Sequence, residues 1–314
     1  MNILTGFLIA ALFAAGCSLA KPPATDLMES SLRLTENHRP GHIIHLKSGQ
    51  ILSFDGLIDD LLKSKIVFVG EIHDDPEHHL VQTQILYALL QRSPSVHVGF
   101  ECLDVTGQQA ANAYLSGRIT EEDFLDAVTW DKSWGFGFQL YRTLFLAARG
   151  KADGLVALNA PRVVVSKVAK FGLGGLSQEE KKLIASEIDL GNIGHRTYLK
   201  EAFKRHPSFP PGHFDFFYEA QCVWEETMAE RIAFYFRDKQ GTMLIFCGNG
   251  HIIHRFGVPE RVKRRMPLES ITIVPLRMHA GMSIPLDTAD YVWLTKDMRA
   301  HLPVAEGMSG RGNY

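Results

Sequence analysis

Short continuous runs of β-branched and apolar residues, each separated from the next by stretches of helical periodicity, constrain this chain more than any other feature. The runs are IVFVG (66–70), VHVGF (96–100), LVALN (155–159), TMLIFC (242–247), SITIVPL (270–276) and DYVWL (290–294). Strands without polar alternation are buried on both faces. After the first run, Asp75 is suited to cap a helix with Pro76 at its first position, and Val81, Ile85, Ala88 and Leu89 share one face before Ser93-Pro94 stops it. Further helices are expected over 105–116 and 121–128, the second opened by Thr120 with Asp123. The run HIIHLKSGQILSF (42–54) turns at Ser48-Gly49 and reads as an edge hairpin. Between Val163 and Lys239 there is no strand signal. Ser177 and Glu180 there form a capping box, and Phe217, Ala220, Trp224, Met228, Ile232 and Phe236 make an apolar stripe. The expected fold is α/β: a largely parallel central sheet with helices on both faces and an inserted all-helical cap domain.

Composition narrows the function. Lys plus Arg number 33 and Asp plus Glu 35, so the net charge of −2 supplies no broad positive field and nucleic acid is not an expected partner. Residues 3–15 (ILTGFLIAALFAA) are too short to span a bilayer and end at Gly16-Cys17. The segment resembles a bacterial lipoprotein signal, which implies a lipidated Cys17 as new N-terminus; an ordinary cleaved signal is the alternative. Ser18 in place of Asp implies, by the same resemblance, sorting to the outer membrane. The expected organisation is a signal peptide over 1–16, a tether over 17–40 and the first part of the core over 41–162. The helical cap over 163–239, the second part of the core over 240–303 and a disordered tail over 304–314 follow. Cys102, Cys222 and Cys247 remain after Cys17, an odd number without CxxC spacing, so neither a disulfide framework nor a zinc knuckle is expected.

In open α/β sheets ligands bind beyond the carboxyl ends of the strands. Here those ends carry Glu71 and His73, then Glu101, then Arg162, then His251 in GNGH (248–251). Glu71, His73, Glu101 and His251 suit either a divalent transition metal or the acid/base chemistry of a hydrolase. Arg162 suits a carboxylate or an oxyanion, or simply pairs with Glu101. Gly70, Gly248 and Gly250 fit close backbone approach there. His78 and His79 are expected on a solvated helix face, RVKRR (261–265) at an exposed helix end, and Trp130, Trp134, Phe136 and Phe138 in core packing. No GxGxxG or Walker loop is present, so a nucleotide cofactor has no support.

In order, GEIHDDPEHH (70–79), GFE (99–101), WDKSWGFGFQLY (130–141), LNAPR (158–162), AQCVWEETMAERI (220–232) and GNGH resemble the ChaN family of haem-binding, iron-regulated bacterial lipoproteins. That family shares a superfamily with the Tiki proteases, TraB-type proteins and erythromycin esterases. The resemblance implies an α/β core with a helical cap, haem bound at the cap of a homodimer, and a role in iron or haem uptake. It also implies attachment to the membrane through a lipid anchor and hand-over to an outer-membrane haem receptor. Family-style ligation is by tyrosine, and the cap offers Tyr198, Tyr218 and Tyr235. Tyr198 is preferred because His195, Lys200, Lys204 and Arg205 lie close to it along one helix; Tyr218 fits the core equally well, and His195 and His213 are further candidates as propionate partners or axial ligands. A binding module for haem and a metal-dependent hydrolase using Glu71, His73, Glu101, Arg162 and His251 are the two functions carried forward, with haem, and alternatively a divalent transition metal, as cofactor.

Overall fold

The computed structural model describes residues 30–204, 213–279 and 281–297. The expected signal peptide, Cys17, the first part of the tether, Arg205 and the tail lie outside the described residues.

Ten strands are described: β1 Ser31–Arg33, β2 Ile43–His45, β3 Gln50–Leu52, β4 Ile66–Glu71, β5 Val96–Asp104, β6 Gly154–Asn159, β7 Thr242–Gly248, β8 Ser270–Arg277, β9 Ser283–Pro285 and β10 Tyr291–Thr295. Eight of them form one sheet in the order β3-β2-β10-β8-β4-β7-β5-β6. The six strands from β10 to β6 run parallel, and the β2–β3 hairpin adds antiparallel to β10 at one edge, as its turn sequence predicts. The remaining pair is a correction to the sequence reading. Ser31–Arg33, in the stretch expected as a tether, pairs antiparallel with β9, and Leu34 just after it is buried in the core.

The helices are α1 Phe54–Leu61, α2 Pro76–Arg92, α3 Gln108–Leu115, α4 Glu121–Ala127, α5 Trp130–Ser133, α6 Phe138–Ala148, α7 Arg162–Phe171, α8 Gln178–Lys181, α9 Ile193–Lys204, α10 Phe214–Phe236 and α11 Val258–Arg265. Strand alternation feeds two cores. Val67 and Val69 of β4 point to the face covered by α1 to α6, where Leu57, Ile85, Tyr114, Phe124 and Phe145 gather. Ile66 and Phe68 point to the other face, against Met228, Ile232 and Phe236 of α10 and Val258 and Val262 of α11. Asp75 caps α2 by accepting from Glu77 N–H at 2.9 Å, and both expected capping boxes, Thr120/Asp123 and Ser177/Glu180, are formed. The described residues of the 163–239 stretch are helical wherever they are regular. Its last helix is 23 residues long: the first half packs on α7 and α9, the second half lies on the sheet. That double contact ties the helical segment to the strand ends.

Candidate functional site

The strand ends meet where β4, β5 and β7 lie side by side. Glu71, the last residue of β4, stands in register with Gly248 of β7. Glu101 lies within β5 rather than after it, at a register shift between Phe100 and Asp104. Such a bulge turns a side chain out of strict alternation, and Glu101 accepts from Gly248 N–H at 2.6 Å. Close approach here needs missing side chains: a Cβ at Gly70 would lie 2.0 Å from Asn249 Oδ1, and one at Gly248 3.1 Å from His73 Nε2.

Two carboxylate–imidazole pairs result, all four groups buried. His73 Nδ1 is 2.7 Å from Glu71 Oε1, and Glu71 also accepts from the Tyr141 hydroxyl at 2.7 Å and from Gln82 Nε2 at 2.8 Å. Burial pushes the Glu71 carboxyl up, but His79, His73 and the Tyr141 hydrogen bond outweigh it and bring the group to about 2. His251 sits between two carboxylates, Nε2 at 3.3 Å from Glu101 and Nδ1 at 3.2 Å from Glu225 of α10. Burial opposes its charge, yet Glu101 and Glu225 raise its pKa to about 10. His73 is raised too: burial acts against it, Glu71 and Glu101 for it. Burial pushes Glu101 up, but the charge and hydrogen bond of His251, the charge of His73 and the Gly248 N–H together lower it.

The pairs open onto a cavity of about 40 Å³ whose walls include His73, Glu101, Trp134, Arg162, Trp224 and His251. It has room for a water or two. The rings of Trp134 and Phe136 lie 4.9 and 5.0 Å from that of His73, so the aromatic segment is both core and pocket wall. Arg162, half-buried at the first position of α7, supplies a guanidinium to the same walls. The structure therefore brings Glu71, His73, Glu101, Arg162 and His251 together. The metal reading gains nothing from this: the carboxylates and imidazoles are turned toward each other, and among the described residues no three His, Cys, Asp or Glu side chains are grouped to hold an ion. Accordingly, His73→Ala and His251→Ala should each leave the transition-metal content of the purified protein unchanged by elemental analysis while lowering its melting temperature; a loss of bound metal in either variant would restore the metal reading.

Two expectations are corrected. His78 and His79 are buried, not solvated. His78 Nδ1 accepts from Ile72 N–H at 2.9 Å, and His79 Nε2 donates to His73 O at 3.0 Å, so both shape the loop that carries His73. Arg261, expected at an exposed helix end, is fully buried, 3.4 Å from Glu225 and 3.2 Å from Glu226, with Arg264 and Arg265 also paired to Glu226 at 2.6 and 2.5 Å. Sequence reasoning missed Glu225 altogether. The signal was available: Glu225 falls one turn from Gln221 and Met228 inside the apolar face of α10, and Arg261 falls between Val258 and Val262.

The imidazoles give a signed pH dependence. His251, raised to about 10, contributes stability that is complete below its ordinary value of 6.5 and lost as pH rises through 10. His78, lowered to about 4 by burial, contributes in the opposite sense: its share is present above 6.5 and lost as pH falls through 4. The gap in melting temperature between the wild type and His251→Gln should therefore narrow as pH is raised from 6.5 to 10. A gap that is constant over that range would mean His251 is not held as the cation.

The cap candidates are placed very differently from one another. His195 is fully buried, Nε2 3.3 Å from Glu225 and Nδ1 3.3 Å from Arg261, so it faces the interior charge network. Tyr218 is fully buried, donates to Asn192 O at 3.2 Å, and burial raises its phenol above the ordinary range. Tyr235 meets His97 Nδ1 at 2.9 Å against the sheet. His213 is exposed just before α10. Tyr198 is half-buried on α9, its ring 5.5 Å from that of His254 and 6.3 Å from that of Phe256.

A family model described as haem-binding uptake, Tiki superfamily, ChaN matches residues 57–262. The solved structure of cofacial heme binding to ChaN of Campylobacter jejuni is 20% identical, covers 80% of this chain and 95% of that chain, and superposes with a TM-score of 0.61, a likeness of fold. The protein RETICULATA-RELATED 5, chloroplastic, of Arabidopsis thaliana is 24% identical over 259 residues, 75% of this chain and 34% of the relative, so the chain spans about a third of that relative's length. An erythromycin esterase mutant in its open conformation matches at 12% identity over 76% of this chain and 77% of that chain, with a TM-score of 0.44.

Proposed function

The chain belongs to the ChaN family of haem-binding uptake proteins in the Tiki superfamily, and on that premise we propose that it binds haem at the outer surface of its helical segment, with Tyr198 as the iron ligand. The observation that carries this is the contrast among the cap tyrosines. Tyr218 is fully buried in the core and Tyr235 lies against the sheet beside His97, whereas Tyr198 is half-buried on α9, the helix that also carries the exposed Ile193. The residues present fit the group. A flat apolar macrocycle with two carboxylates and a ferric centre requires exposed apolar surface, cations and a hard anionic ligand. Along α9, Ile193 is 80% exposed and Tyr198 supplies the phenolate oxygen, while Arg196 and Lys200, two positions to either side and turned toward the Phe214 ring, bring positive charge to the same helix. The 40 Å³ cavity at the strand ends is far too small for that ligand, so the haem belongs on the surface. There a second copy of the chain would cover it, which supports a homodimer. When bound, the group supplies the iron that is being carried; the protein's part is to hold, orient and shield it.

The further steps follow from the same reading. Lipid on Cys17 would tether the protein to the cell envelope, in a two-membrane bacterium at the outer membrane, where an anchor of more than one acyl chain is stable. From there haem would be exchanged with an outer-membrane haem receptor in iron uptake. Titration of the purified protein with hemin, read by visible absorption and by sedimentation, tests the proposal. Saturable binding with assembly into dimers is expected; weak, featureless association without a change in mass would overturn it.

One observation favours a second reading. The oriented Glu71–His73 pair, with the His251 cation and Arg162 around a water-sized cavity, has the parts of a hydrolytic site: a base, an electrostatic stabiliser and space for the attacking water. Hydrolysis of a small ester that disappears in His73→Ala, with hemin binding intact, would establish that activity.

A further inference from the structure

We propose that His254 is a positioning residue for Tyr198, fixing the orientation of the phenol ring; the inference rests on the haem reading above and deepens it.

The backbone supplies the first observation. His254 and Arg255 are consecutive non-glycine residues with φ of 56° and 60°. Left-handed conformations of this kind persist where the surroundings over-determine them, and they gather at functional positions. The surroundings here are specific. His254 N–H donates to Thr288 O at 3.0 Å, and its Nδ1 lies 3.1 Å from Asp287 Oδ2. Arg255 binds Asp290 and donates to Ser270 O at 3.1 Å. Two carboxylates and a carbonyl from one loop thus hold the strained pair, and the consequence is a fixed direction for the imidazole.

The second observation comes from the opposite side. Gly194 lets α9 settle onto the loop: a Cβ there would lie 3.1 Å from Phe256 Cε1. Tyr198 is four residues further along the same helix, on the same face, and its ring meets that of His254 at 5.5 Å and 72°. The loop and the helix therefore converge on one contact, an aromatic ring against an imidazole that a carboxylate orients.

The chemistry follows from that arrangement. To ligate, Tyr198 gives up its hydroxyl proton to solvent and keeps the electron pair on oxygen. An imidazole held beside Asp287 and packed edge-on against the phenol keeps that ring from rotating, so the oxygen is presented in one direction. Partners behind a ligand act in this way in metal sites generally, and removing one typically weakens metal affinity 10- to 100-fold.

The test uses the full chain and hemin. His254→Asn removes the imidazole but suits the left-handed backbone, since asparagine adopts it readily. Hemin should bind this variant about tenfold or more weakly, with the phenolate charge-transfer band displaced at saturating hemin and the apo-protein melting as the wild type does. Asp287→Asn should move the band in the same direction by less, and His254→Gln should recover part of the affinity. If the band and affinity of His254→Asn and Asp287→Asn match the wild type, while Tyr198→Phe loses the band, the inference fails and the haem reading stands. If the wild type itself lacks the band, both fail.

Discussion

Glu225→Ala should be the most destabilising single substitution in the strand-end site, lowering the melting temperature by about 10 °C, equivalent to roughly 3–5 kcal/mol. Glu225 touches three buried cations or imidazoles: His251 at 3.2 Å, His195 at 3.3 Å and Arg261 at 3.4 Å. Each of these partners is at most 1% exposed. Removing one member of a buried network leaves the others desolvated without a counter-charge, which is much more costly than losing an exposed pair. The effect should extend along the chain of contacts. His251 would lose one of its two flanking carboxylates and keep Glu101, and its raised pKa would fall toward the ordinary imidazole value. Glu225→Gln retains the volume and a hydrogen-bonding oxygen and should cost less. Thermal unfolding followed by circular dichroism for the two variants reads this directly; a melting temperature within a degree of the wild type for Glu225→Ala would mean that the network does not hold α10 to the strand ends.

The second large effect concerns Tyr198. Tyr198→Phe keeps nearly all of the ring's packing against His254 and Phe256, so burial is preserved while the oxygen proposed as the iron ligand is removed. The fold should be unaffected, and hemin affinity should fall by well over tenfold. Tyr218→Phe is the matched control in the core. It removes a hydrogen bond to Asn192 O and should cost about 1 kcal/mol of stability with hemin binding retained.

The parts of the fold that were legible in sequence are those that local pattern determines. Continuous apolar runs such as IVFVG can be satisfied only between two layers, and the Ser48-Gly49 turn and the Asp75-Pro76 cap are chemical signals confined to a few residues. The convergence of Glu71, His73, Glu101, Arg162 and His251 was legible because parallel strands deliver their carboxyl ends to one edge. Burial of charge was not. His78, His79 and Arg261 are residues whose types default to solvent; Arg261 is buried against Glu225 and Glu226 and His78 reaches Thr295, partners far along the chain, while His79 is buried by the path of its own loop, donating to His73 O. The pairing of Ser31–Arg33 with β9 was hidden for the same reason, since three residues carry no periodicity until a partner strand more than two hundred residues away is present.

The most direct test of the central claim is the visible absorption spectrum of hemin added to the wild type and to Tyr198→Phe. A charge-transfer band of ferric iron bound to phenolate in the wild type, absent from Tyr198→Phe and present in Tyr218→Phe, is the expected result. The same band persisting in Tyr198→Phe, or no band in any of the three proteins, would contradict it.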